Sequence, residues 1–286
     1  MSSVRTSMRV SVLLLWLAIP AGGLPSEPVE RRAGRAPDEE DVLARAASHV
    51  ERYAAALPYL VAEETMTQRL TPRHGREGQP ATRRLVSDFG WVQLDGITEP
   101  LGLREVRSVD WEPVGPLAQL GPLLDGSRRG TTAQARALLN AGARYNLAPG
   151  SRNVNIPTFA FFFLLPDWQS RFSWKREGSA KDRIWEFSFT ERERPTVIRT
   201  ASGKPVHSRG RIWVDPDTGT ILRTVLETKI ERDRYRLEVE FAAMPDVGLT
   251  VPTSMVETFG GDTFVVEGRA TYRNYRRFTT GARLVH

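Results

Sequence analysis

Four histidines, His49, His74, His207 and His286, are spread along a chain of 286 residues, with no HExxH and no two close enough to form a local metal pair. Cysteine is absent, which excludes disulfides, thiolate catalysis, Cys-ligated metals and Cys-linked haem, as well as the acylated cysteine of a bacterial lipoprotein anchor. Gly203-Lys204 lacks the upstream glycine and the following Ser or Thr of a P-loop, and there is no GxGxxG, GxSxG or SxxK. A dispersed Ser/His/Asp triad is recognised by geometry and stays open. Two carboxylate pairs could serve glycoside chemistry if folding set them a suitable distance apart. Glu63 and Glu64 are adjacent on a strand pattern and face opposite ways. Glu191 and Glu193 alternate with Arg192 and Arg194, the pattern of a solvated strand end. No catalytic residue, metal ligand or cofactor is therefore assigned.

The segment Arg269 to Phe278 interleaves arginines with Tyr272, Tyr275 and Phe278, a composition that suits single-stranded nucleic acid. Alternation puts Ala270, Tyr272 and Asn274 on one face and Arg269, Thr271, Arg273 and Tyr275 on the other, so a last strand with a charged outer side explains it equally well. Charge favours the strand. The formal charge is +6 and only four basic residues are lysine. Loss of the two arginines in the first 23 residues, Arg5 and Arg9, takes +6 down to +4, too weak a field to indicate nucleic acid.

Those first residues have a basic start, an apolar run from Val10 to Ile19 and small residues up to Gly23, which reads as a cleaved secretory signal at 1–23. The run is well short of the ~20 residues that span a bilayer, so no transmembrane segment is expected after cleavage and the mature chain is expected in the periplasm or outside the cell. Residues 24–37, with Pro25, Pro28 and Pro37, read as a flexible leader.

Asp38 opens a helix ended by Pro58, with Leu43, Ala46, Val50, Tyr53 and Leu57 on one stripe. Two strands follow at Val61 to Leu70 and Thr82 to Leu94. A Gly/Pro-rich and helical stretch at about 96–166 includes a short strand at Leu103 to Val109 and a helix capped by Thr131 or Thr132. It ends in Thr158 to Leu165, bounded by Pro157 and Pro166, which is apolar on nearly every side and reads as a short helix plugged into the core. From Gln169 onward the pattern is strand. Asp215-Pro216-Asp217-Thr218-Gly219 marks a hairpin turn, with Asp215 accepting amide hydrogen bonds and Gly219 supplying a left-handed residue.

The amphipathic helix, the successive strands and the string Trp213-Val-Asp-Pro-Asp-Thr-Gly-Thr-Ile-Leu-Arg223 resemble the LolA/LolB/RseB-like periplasmic carriers, over roughly 38–94 and 169–278. The pattern is also similar to uncharacterised exported bacterial proteins. The resemblance implies an α+β fold in which a strongly curved antiparallel sheet, a half-open barrel, has its concave apolar face covered by helices. Residues 38–286 would then form a single domain with 96–166 inserted. The expected cavity is lined by Trp185, Phe187, Phe189, Leu222, Leu226, Leu237, Val239 and Phe241, with Phe161, Phe162 and Phe163 beside it. The function this implies is non-enzymatic: an exported envelope protein holding a lipid, a lipoprotein acyl chain or an apolar polypeptide segment of an envelope partner. An exported hydrolase with a dispersed site, and an interaction module with a filled core, are the alternatives.

Overall fold

The computed structural model describes residues 37–73, 78–94, 100–115, 119–124, 130–147, 155–178, 183–200 and 202–278. The expected signal peptide at 1–23 and the leader up to residue 36 lie outside them. The chain opens with α1 (Glu39–Ala56), capped by Asp38, whose carboxylate accepts from the Asp41 amide at 2.9 Å. Glu39, Glu40 and Asp41 occupy the first turn, where the helix dipole favours negative charge. Val42, Ala46, Val50, Tyr53 and Leu57 are buried, and the fully buried Val and Leu side chains each contribute about 1.5–3 kcal/mol.

Strands β1 (Leu60–Pro72), β2 (Ala81–Val92), β3 (Leu101–Val109) and β4 (Glu112–Pro113) follow, then the short helix α2 (Gly121–Leu124) and α3 (Thr132–Ala143). Thr131 and Gln134 close a capping box on α3. A 3-10 helix at Phe159–Leu164 leads into α4 (Pro166–Gln169). The rest is β5 (Phe172–Glu177), β6 (Trp185–Glu191), a small hairpin of β7 (Ile198–Arg199) and β8 (Pro205–Val206), β9 (Ser208–Val214), β10 (Ile221–Ile230), β11 (Asp233–Met244), a 3-10 turn at Pro245–Val247, β12 (Leu249–Gly260) and β13 (Phe264–Arg277).

Eleven strands form one antiparallel sheet in the order β4-β3-β2-β1-β13-β12-β11-β10-β9-β6-β5. The last strand returns to pair with the first, placing both in the middle, and a meander runs outward on each side. The α+β class holds, and the half-open barrel does not. The sheet is neither closed nor strongly curled, and β4 and β5 end it as separate edges. An apolar-polar alternation reports that a strand has a buried face, and it is the same whether the sheet curls shut or stays open. The LolA-like description of the fold falls with the half-barrel.

Nor do the helices all lie on one face. Tyr53 of α1 packs on Phe161 of the 3-10 helix, which meets Phe241 of the sheet, and Ala135 and Leu138 of α3 are buried over the same inner face. The α2 segment packs on the opposite face, against Gly90, where a Cβ would stand 2.8 Å from the Leu120 side chain. The hairpin between β9 and β10 forms as its residues dictate. The Asp215 carboxylate accepts from the amides of Asp217 and Thr218 at 2.9 and 3.1 Å, and Gly219 has φ 73°. Arg45 of α1 donates to the Pro216 carbonyl at 2.7 Å, tying this turn to the helix.

Candidate functional site

Trp185, Phe187, Phe189, Leu226, Leu237, Val239 and Phe241 are buried together with Phe161, Phe162 and Phe163 in one apolar core. The 3-10 helix fills the space that these strands offer. Phe163 stacks on Phe172 at 4.7 Å and meets Phe189 edge-on at 5.5 Å, while Phe161 lies 4.5 Å from Phe241. Proline brackets and six consecutive buried residues give a tight 3-10 turn, with Leu165 closing it by donating to the Phe162 carbonyl. Leu222 departs from the set. The β9–β10 register shifts between Ile221 and Arg223, and the resulting bulge buries Ile221 and leaves Leu222 only half-buried.

The other half of the inner face sets a polar cluster among buried apolar residues such as Met66, Phe89 and Trp91. Glu63 and Glu64 do point apart: Glu63 is exposed enough to pair with Arg107 at 2.8 Å, whereas Glu64 is fully buried. Arg104 forms a bidentate ion pair with Glu64, and donates to the side chain and carbonyl of Asn155 at 3.0 and 2.7 Å. Tyr272 donates to the same carboxylate at 2.7 Å. Burial works against the Arg104 charge, yet the Glu64 carboxylate raises its pKa above the ordinary guanidinium value. Burial, then Glu64, pushes the Tyr272 phenol well up. Glu257 and Gln68 are buried nearby, and a cavity of about 30 Å³ lies between Arg104 and α3, room for about one water. The cluster is closed on itself, with Glu64 taking three donated hydrogen bonds.

Glu191 and Glu193 do not behave as a solvated pair. Strand β6 ends at Glu191, which is buried and accepts from the amides of Val197 and Ser208 at 2.7 and 3.0 Å, while Glu193 is exposed. Burial raises the Glu191 pKa, with the two amides pulling the other way. It is a clamp on the following loop. The basic aromatic tail is strand β13, and its alternation breaks at Asn274, whose φ is 53°. That bulge turns Tyr275 so that its hydroxyl donates to the Pro252 carbonyl at 2.6 Å.

Open space lies along α1. On one flank, Ala54, Ala55 and Pro58 face Gln93, Leu165 and Pro166 across a groove of about 410 Å³. On the other, His49, Arg52, Tyr53 and Ala56 face Ala243, Met244, Pro245 and Leu249 across a groove of about 450 Å³. Arg277 closes one end, donating to the carbonyls of Ala56 and Val247 at 2.9 and 3.3 Å. Tyr53 is only 1% exposed, and its hydroxyl has no hydrogen-bond partner among the described residues; the same holds for His49 Nε2. Burial, then Arg52, lowers the His49 pKa, and burial raises that of Tyr53.

No family model and no curated protein matches the sequence. Among solved structures, the chain is similar to a DUF1329-family protein from Desulfovibrio piger, at 12% identity and a TM-score of 0.36, over 85% of this chain and 95% of that one. A likeness at that score carries no argument about function, and no link to the LolA/LolB/RseB-like carriers is shown.

Sequence reasoning took Tyr53 for part of the apolar stripe and left His49 as one of four scattered histidines. Their spacing of four on a helix was the available signal, since it stacks the two rings on one flank, where their centroids are 6.1 Å apart. Nothing local could have announced Arg104, which meets its carboxylate 40 residues away.

Proposed function

We propose that this protein is an exported, non-enzymatic binder of a single-chain lipid, with the acyl chain lying in an open groove beside α1 and not inside the sheet. The observation that carries this reading is the contrast in filling. The sheet's apolar interior is occupied by Phe159 to Leu164, whereas both flanks of α1 keep grooves of about 410 and 450 Å³, within the range of small-molecule sites. Export rests on the signal pattern at 1–23. Among the described residues no helix is long and apolar enough to cross a membrane. A chain burying about 300 Å² of apolar surface gains roughly 7 kcal/mol before association costs. The reading gives Glu64, Arg104 and Tyr272 a folding role.

The test is titration of the purified mature protein with a fluorescent long-chain fatty acid, with native mass spectrometry of any lipid that co-purifies. Saturable binding is expected, and Ala55→Trp together with Ala56→Trp, which narrows both grooves, is expected to weaken it at least tenfold. Undiminished binding by that double variant, or none by the folded parent protein, overturns the reading.

A further inference from the structure

Resting on that reading, we infer that the groove between α1 and the β11–β12 turn takes a fatty carboxylate, with the acid head against Tyr53, His49 and Arg52 and the chain along Met244, Pro245 and Leu249. A buried hydroxyl without a partner is costly, and native structures rarely leave one. Tyr53 is such a group, in a residue that lines the groove, and His49 Nε2 beside it is a second; both atoms are closed to solvent in the ligand-free protein, so the head reaches them with a shift of the groove's side chains. A phenol offers one donor, and the acceptor that uses it best is an anion.

Charge points the same way. Arg52 stands on the groove wall, Arg277 ties its two walls together at one end, and no carboxylate lines it among the described residues. The exposed Asp246 sits in the adjoining turn. A cationic head would meet Arg52, with no carboxylate on the groove wall itself to offset it among the described residues. The remaining wall, Ala56, Ala243, Met244, Pro245 and Leu249, offers mainly carbon surface, and methionine adapts to chains of varied shape. One polar end and one apolar trough describe an amphiphile.

Dodecanoate, dodecanol and dodecyltrimethylammonium share a chain and differ in the head, so calorimetric titration of the three separates head from chain. Dodecanoate is expected to bind about tenfold more tightly than dodecanol, with the ammonium weakest, one charge-assisted hydrogen bond being worth about that factor. Tyr53→Phe and Arg52→Gln are each expected to erode the preference. Tyr53→Phe should also raise the melting temperature of the ligand-free protein, because it removes the orphan hydroxyl and keeps the ring against Phe161. A phenol needed for folding would do the reverse. Equal affinity for all three amphiphiles overturns the head-group assignment and leaves the lipid reading intact; so does a preference that survives in the Tyr53→Phe/Arg52→Gln protein. Binding of none of the three overturns both.

Discussion

The inner face of the sheet is built in two ways. Under β5, β6, β9 and β10 it is packed with rings, Phe172, Phe189 and Phe163 at centroid separations of 4.7–5.8 Å, with Phe187 buried beside them. Under β1, β2, β3, β12 and β13 it adds to Met66, Phe89 and Trp91 a polar set of Glu64, Gln68, Ser87, Arg104, Glu257 and Tyr272. Rings in the first half gain from area and shape, and each can be exchanged for another apolar group at modest loss. The polar groups of the second half gain only in company, the Glu64 charge being tolerable because Arg104 is present. One sheet thus holds a region that is robust to substitution and a region that is brittle.

The largest expected effect is from carrying a charge across that divide. Phe163→Asp places an unpaired carboxylate among Phe159, Phe172 and Phe189 and is expected to cost about 4 kcal/mol or more, read from chemical denaturation. Next is Arg104→Met, expected to cost about 3–5 kcal/mol because Glu64 is left buried and uncompensated. Adding Glu64→Leu should recover most of that loss; if it does not, the pair is not what makes this half brittle. The smallest effect is a pH dependence. Glu191 sits in the ring-rich half, where its carboxylate accepts from two backbone amides, and burial raises its folded pKa against the opposing pull of those amides and of His207. A raised carboxyl binds more protons folded than unfolded, so its contribution is fully present below the ordinary 4.5 and is lost as pH rises through the folded value. Melting temperature as a function of pH for the parent and for Glu191→Gln should therefore converge in acid and separate above it, with the parent falling more steeply.

Much of the local structure was legible. Asp38 announced the α1 cap, Asp215 and Gly219 the hairpin, and the alternation of Trp185, Phe187 and Phe189 the buried face of β6. These signals act over a few residues. What lay hidden depends on where strands end up across the sheet. Leu222 left the core because β9 and β10 slip by one residue beside it, and Tyr275 turned because Asn274 adopts a left-handed conformation. Glu64 reads as any strand glutamate until β3 delivers Arg104 to it. Curl is of the same kind: Phe187 has the same neighbours in its own strand in an open sheet or a barrel. The grooves along α1 were invisible for that reason too, being spaces between α1 and segments distant in sequence, Leu165 and Pro166 on one flank and Ala243 to Thr250 on the other.

An open sheet has two rims, and each invites another strand. At one rim β4 is two residues long and ends in Pro113, which has no amide to donate. At the other, β5 is six residues long and carries Lys175, Arg176 and Glu177 in its outer half, with Arg176 stacked 3.3 Å over the Trp185 ring. A second copy meets a two-residue strand ending in proline where β4 covers Ser108 and Val109 of β3, and charge to desolvate along β5, and both features disfavour growth into a fibre.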